Sequence, residues 1–185
     1  MPDVPDPSAV VLVEGESDRA AVLTLAERRG RHLETDGVVV IAMGGITNIG
    51  RYLSDLDRHA VLGLYDAGEE RVVANALARL GHAQDLGRAG LQGLGFYVCV
   101  EDLEDELIRA LGPDRVIEVI EDQGEMATFR RMRNQPAQRE RPLDRQLRRF
   151  IGTRSGRKIR YGRLLVEALE PDRVPTPLDG LLSRL

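Results

Sequence analysis

The chain has 185 residues, 42% of them hydrophobic and 4% aromatic, with a net charge of −4, which allows one buried core with a small appendage. No stretch approaches the roughly 20 apolar residues that span a bilayer, and the polar opening, Met1 to Ala9, has no basic segment of the kind that begins a signal peptide. The single cysteine, Cys99, cannot form an intrachain disulfide. That fits a reducing, cytoplasmic compartment and argues against a cysteine-based metal site.

In chain order, Val10 to Val13 is a short β-branched run ending at Glu14-Gly15, and predicts a buried strand. Ser17 to Arg29 carries Ala21, Val22, Leu25 and Ala26 at helical spacing, with Gly30 as the stop. Val38 to Ala42 is a second apolar run, closed by Gly44-Gly45. Ile46, Ile49, Leu53 and Leu56 predict a helix. Ala60 to Tyr65 is a third strand, stopping at Asp66. Glu69 to Leu80 predicts a helix, and Gly95 to Val100 a fourth strand that stops at Glu101-Asp102. Continuous rather than alternating apolar strands in a β-α-β-α-β-α-β order predict a parallel sheet covered on both faces.

Beyond Glu101 only helices are predicted: Leu103 to Leu111, Asp114 to Asp122, Met126 to Arg133, Arg145 to Phe150 and Gly162 to Leu169. The Pro-rich stretch from Pro171 to Pro177 closes the chain. The expected organisation is an α/β sheet domain over residues 1–110 and a basic helical extension over 111–185, packed on it.

Charge is unevenly distributed. Residues 1–123 carry 23 acidic and 11 basic side chains, whereas 124–163 carry 13 basic and 3 acidic. A basic block beside an acidic one suggests a polyanion-binding surface next to a cation site, though a solvated arginine face reads the same way. Arg130, Arg131, Arg133, Arg148, Arg149, Arg154 and Arg157 are the candidate phosphate contacts. Of the 26 basic residues 25 are Arg and one, Lys158, is Lys. A compact ammonium kept in so arginine-rich a chain suggests a role that a guanidinium fork cannot fill.

Ligands of open parallel sheets bind beyond the carboxyl ends of the strands. Here those ends carry Glu14, Asp66 and Glu101-Asp102, with Asp18 and Glu104 close behind. Each alone is an ordinary cap or turn residue. Together they are hard oxygen ligands of the kind divalent cations take for phosphate chemistry. Gly44-Gly45 reads either as a backbone phosphate cradle or as a plain left-handed turn. Asn48 reads as a site residue or a first-turn helix residue. His32, His59 and His82 stand at no ligand spacing and read as surface residues.

These segments carry a family resemblance. Val11-Leu12-Val13-Glu14-Gly15-Glu16-Ser17-Asp18 resembles the opening Toprim motif in the form found in OLD-family nucleases. Met43-Gly44-Gly45-Ile46-Thr47-Asn48-Ile49 is similar to that family's GG-x-x-N segment, and Gly63-Leu64-Tyr65-Asp66 stands where the Toprim DxD motif belongs. Val100-Glu101-Asp102-Leu103-Glu104 resembles the later acidic pair, and Arg154-Ser155-Gly156-Arg157-Lys158 the downstream basic segment. The resemblance implies a Toprim-type, Rossmann-like α/β fold and two-metal cleavage of DNA with Mg²⁺ or Mn²⁺. It makes Glu14, Asp18, Asp66, Asp102 and Glu104 metal ligands, with Glu14 also a general acid/base, and sets Lys158 against the scissile phosphate.

Two departures stand out. Position 68 of the DxD motif is glycine, so Glu69 must reach the ion from one residue further on, or one metal site is weakened or lost. No G-x-x-x-x-G-K-[ST] occurs in the chain, so the expectation is a stand-alone Toprim protein or one that borrows an ATPase partner in trans. The alternatives are a catalytically weakened Toprim module that binds nucleic acid or regulates a partner, and a Toprim enzyme of RNA processing or nucleotidyl transfer. DNA is the expected substrate rather than RNA, and no membrane partner is expected.

Overall fold

The computed structural model describes residues 7–56, 59–83 and 86–185, with the backbone alone at Ser155. The Pro- and Asp-rich opening, residues 1–6, lies outside the described residues. Four strands, β1 (Ala9–Val13), β2 (Val38–Ala42), β3 (Ala60–Asp66) and β4 (Phe96–Cys99), form one parallel sheet in the order β2-β1-β3-β4. Central β1 has Val10, Val11, Leu12 and Val13 at most 1% exposed, as continuous apolar character requires of a strand covered on both faces. Its side chains alternate: Val11 and Val13 enter one core, Val10 and Leu12 the other.

The helices divide between those cores. The chain moves from β1 to β2 through α1 (Glu16–Arg28), then reverses past β1 to β3 through α2 (Ile49–Asp55). With crossovers of one hand, a reversal of direction moves the covering helix to the opposite face. Ala21, Val22, Leu25 and Ala26 of α1 accordingly pack with Val11 and Val13. Ile49 and Leu53 of α2, Val73 and Leu77 of α3 (Glu70–Arg79) and Leu91 of α4 (Arg88–Gly93) pack with Val10 and Leu12. The reversal also makes the gap between β1 and β3, at their carboxyl ends, the switch point of the sheet.

The chain then returns to the α1 face. There α5 (Leu103–Leu111), α6 (Pro113–Asp122), α7 (Met126–Arg133), the short α8 (Pro136–Arg139), α9 (Leu143–Ile151), α10 (Ser155–Ala168) and α11 (Thr176–Arg184) follow. A single core on this face runs from Val11 to Leu182. The expected boundary at residue 110 falls within α5. No helix among the described residues is long and apolar enough to cross a membrane.

The elements differ from expectation in four places. Short helices α4 and α8 were not anticipated. The Pro-rich stretch does not close the chain: Pro175 and Pro177 open α11, whose Leu178, Leu181 and Leu182 are buried in the α1-face core, which also holds Leu62, Leu64 and Tyr97. Proline suits a first helical turn, where its missing N–H would have no partner. Finally, α10 begins at Ser155, not Gly162. Gly162 is instead a close-approach residue within the helix, because a Cβ there would lie 2.6 Å from the carbonyl oxygen of Ser17 on α1. Lys158, one turn earlier on the same helical face, is thereby brought to the carboxyl edge of the sheet. Gly162→Ala should push α10 off α1 and lower stability by about 1–3 kcal/mol despite the better helix propensity of alanine. Urea unfolding checks this, and an unchanged or raised midpoint would contradict the packing described.

Candidate functional site

The turn after β1 sets the first carboxylate. Gly44, at φ +71°, and Gly45, at φ +119°, both donate their backbone N–H groups to the carbonyl oxygen of Glu14, at 3.0 and 3.1 Å. Asn48 Nδ2 holds the Met43 carbonyl at 2.9 Å. The diglycine is therefore a left-handed turn with its N–H groups already used, and Asn48 shapes that turn. Together they fasten the loop after β2 to the end of β1 and fix the backbone of Glu14.

Asp66 ends β3, the neighbour of β1 on the other side of the switch point. A 3₁₀ turn over Ala67–Glu69 then curls the chain back. Among the described residues, carboxylate oxygens of Glu14, Asp66 and Glu69 lie within 4.8 Å of one another. The longer Glu69 side chain thus stands beside Asp66 and Glu14 although position 68 is glycine. Oε2 of Glu69 is buried and has no hydrogen-bond partner.

A second set lies alongside. Asp18 Oδ2 accepts from the Gly15 N–H at 2.8 Å, so this side chain also serves the start of α1. Asp102 caps α5, its Oδ1 accepting from the Asp105 N–H at 2.8 Å. Glu104 is 3% exposed, and its Oε2 forms an ion pair with Lys158 Nζ at 3.2 Å.

The electrostatics join the two sets. Burial, then the charges of Asp102, Glu14, Asp18 and Glu69, push the Asp66 carboxyl up to about 8. Burial, then Glu104 and Glu14, push Asp18 up to about 7, against the Gly15 N–H and Lys158, which oppose the rise. Glu69 is raised by burial and Glu14, and Glu104 chiefly by burial. Burial alone would lower the Lys158 ammonium, but Glu104, Asp18 and Asp102 outweigh it and hold the group above its ordinary value. This is the state expected of several carboxylates crowded with one cation and too little neutralising charge. An unpartnered oxygen on Glu69, hard donors throughout and carboxyls raised by burial and then by one another's charge all fit a divalent cation such as Mg²⁺ or Mn²⁺.

The chain matches the family model "Overcoming lysogenization defect protein-like, TOPRIM domain" over residues 8–61, the segment from β1 into β3 that carries Glu14, Asp18, Gly44 and Gly45. Its fold is that of solved OLD structures. The C-terminal region of the Xanthomonas campestris pv. campestris OLD protein superposes with a TM-score of 0.71 at 24% identity, covering 96% of this chain and 91% of that one. The C-terminal region of the Burkholderia pseudomallei OLD protein gives 0.69 at 20% identity, covering 96% of both. The chain has the Toprim fold of these OLD C-terminal regions. No curated protein sequence matches the chain.

Beside the carboxylates, the fold opens a cleft of about 370 Å³ lined by Asp102, Glu104, Lys158, Gly152, Arg141, Arg145, Arg148 and Arg149. Sequence reasoning missed Arg141 and Arg145. Their signal was present in the spacing of Arg141, Arg145, Arg148 and Arg149, which puts one guanidinium per turn on the same side of α9 and its approach. Arg145 and Arg148 both reach Glu101, each at 3.2 Å.

The seven candidate phosphate contacts divide. Arg130, Arg131, Arg149 and Arg154 are exposed and have no acidic partner among the described residues. Arg133 is exposed but gives its Nε to Gln146 at 2.7 Å and lies over the Phe129 ring. Arg148 is bound to Asp102 and Glu101. Arg157 is a correction: it is 8% exposed, its guanidinium held by Glu125 and the Phe150 carbonyl and stacked on the Phe150 ring, so it fastens α10 to α7 and α9. Arginine periodicity could not separate it from its exposed neighbours. His32 and His82 are exposed, and His59 meets the Pro7 carbonyl.

The buried, crowded carboxylates give the fold a pH signature. Asp66 and Asp18 keep protons in the folded state that they lose near pH 4 in the unfolded chain. The folded state then binds more protons, so the stability these two groups contribute is fully present below about pH 4 and is lost as pH rises through about 7 to 8. Without divalent ions, raising the pH from 5 to 8 should lower the melting temperature by several degrees, about 2–4 °C per kcal/mol. A flat profile over that range would show that the carboxylates do not crowd one another as described.

Proposed function

We propose that this chain is a metal-dependent phosphodiesterase that cleaves DNA, in which Glu14, Asp66 and Glu69 hold one divalent ion and Asp18, Asp102 and Glu104 a second. The reading is carried by the Glu14–Asp66–Glu69 cluster at the switch point of an OLD-like Toprim fold. A bound Mg²⁺ or Mn²⁺ supplies Lewis acidity that activates water and stabilises the leaving oxygen of a phosphodiester. The chain's own groups do the rest. Glu14 moves a proton at the water, the Lys158 ammonium faces a non-bridging phosphoryl oxygen, and the cleft between Lys158 and Arg149 receives the backbone. The chain works in the cytoplasm in this reading, with nucleic acid as its partner. An ATPase acting in trans has no support beyond the resemblance.

With so few aromatics there is little surface for base stacking, so affinity comes mainly from arginine–phosphate contacts. Arg149→Glu together with Arg154→Glu should weaken duplex binding roughly ten- to a hundredfold and flatten its dependence on salt, with sequence preference unchanged. Binding titrations in Ca²⁺ at several salt concentrations measure this. Wild-type affinity and slope in the double variant would mean that the arginine face is only a solvated surface.

A further inference from the structure

Arg148 has been counted among the phosphate contacts, yet its guanidinium is committed elsewhere. Nε lies 2.7 Å and an Nη 2.6 Å from Asp102 Oδ2, and the other Nη lies 3.2 Å from Glu101 Oε2. Oδ1 of the same Asp102 is occupied by the Asp105 N–H at the start of α5. Both oxygens of Asp102 are thus already used. Among the described residues, the cluster of Glu14, Asp66 and Glu69 carries no such arginine, and Glu69 Oε2 has no hydrogen-bond partner. The two halves of the site therefore differ: one is ready for a cation, and the other has a guanidinium of the protein's own in place, two of its nitrogens on one Asp102 oxygen. Glu104, 3% exposed, is likewise held by a cation of the chain, its Oε2 lying 3.2 Å from Lys158 Nζ.

Position decides what could remove that arginine. Arg148 and Asp102 both line the cleft that also holds Lys158, Arg145 and Arg149. A phosphate entering there offers Arg148 two oxygens in the geometry a carboxylate offers, at comparable strength. Neighbouring Arg145 keeps Glu101 neutralised while Arg148 moves.

We propose that Arg148 is a gate on the second metal position: it withholds Asp102 until a backbone phosphate in the cleft takes the guanidinium and frees the carboxylate. The inference rests on the metal-dependent reading above and adds to it an order of events. One ion binds the free protein, and the second position is completed only with nucleic acid present. A domain built this way cannot assemble its full complement of metal on solvent water alone, which limits unguided chemistry. Arg148 is accordingly a positioning residue that acts through Asp102.

Counting bound Mn²⁺ by electron paramagnetic resonance, at a fixed excess over the free protein, tests this without any cleavage. The expected stoichiometry is one ion for the wild type and two for Arg148→Ala. Arg149→Ala, which removes a guanidinium from the same cleft but none from Asp102, should stay at one. Adding Asp102→Asn, which keeps an oxygen to cap α5, should leave the wild type at one and return Arg148→Ala from two to one. Thermal unfolding of each variant confirms that it is folded at the temperature of the count. A wild type that binds two ions, or an Arg148→Ala that binds one, overturns the gate and leaves the metal-dependent reading standing. No bound ion in any variant overturns both.

Discussion

Lys158→Ala is expected to lower the single-turnover rate of duplex cleavage in Mn²⁺ by roughly 10²–10³-fold, about 2.7–4 kcal/mol, the usual loss when one fixed donor to a developing anion is removed. The ammonium is held 3.2 Å from a buried carboxylate, and Glu104, Asp18 and Asp102 keep it charged. A cation held in this way stabilises charge that appears in the transition state more than in bound substrate, so rate should fall much further than affinity. Lys158→Arg should rescue poorly, because a planar fork is bulkier and directs its hydrogen bonds differently. Removing Lys158 also leaves Glu104 buried without its partner, which costs some stability. Melting temperatures run beside the kinetics separate that loss from the chemical one. Wild-type rates in both variants would remove Lys158 from the reaction.

The second large effect concerns Glu14. In the wild type, a divalent ion at a hundred times its dissociation constant should stabilise the fold by about 2.7 kcal/mol by mass action. In a domain of this size that corresponds to roughly 5–11 °C. Glu14→Gln should abolish most of this shift, since the variant loses one of three clustered carboxylates. The same change should raise the melting temperature without metal at pH 8, because Glu14 is among the charges that push up Asp66, Asp18 and Glu69. Opposite signs with and without Mn²⁺ are the signature of a site that sacrifices stability for binding. Equal shifts in the wild type and Glu14→Gln would show that Mn²⁺ binds elsewhere.

The sheet was legible because its signal is local. Val10 to Val13 are apolar on both faces, as suits a strand covered from both sides, and Val38 to Ala42 are as apolar although Val39 on this edge strand is exposed. Glu14 and Asp66 were legible for a topological reason, since they end adjacent parallel strands and must share an edge. Glu69 was less so. Its place depends on a 3₁₀ turn at Gly68, which the one-residue offset from the DxD pattern suggested but did not fix. The basic region was legible as a block but not residue by residue. Arg130, Arg148 and Arg157 have the same composition and spacing around them, and only tertiary packing sends one to solvent, one to Asp102 and one into the interior beside Glu125. Both C-terminal misreadings have one cause. Locally, Gly162 and the prolines near 175 read as punctuation, whereas in the fold Gly162 serves a helix crossing and Pro177 a first helical turn.

Nicking of a supercoiled plasmid tests most directly whether these carboxylates make a metal-dependent DNA-cleaving site. The purified chain is incubated in Mn²⁺, in Mg²⁺ and in Mn²⁺ with excess EDTA, beside Asp66→Asn prepared identically. Nicked and linear products from the wild type with metal, none with EDTA and none from Asp66→Asn are the predicted result. Intact plasmid in every wild-type arm, or equal cleavage by wild type and Asp66→Asn, would contradict it.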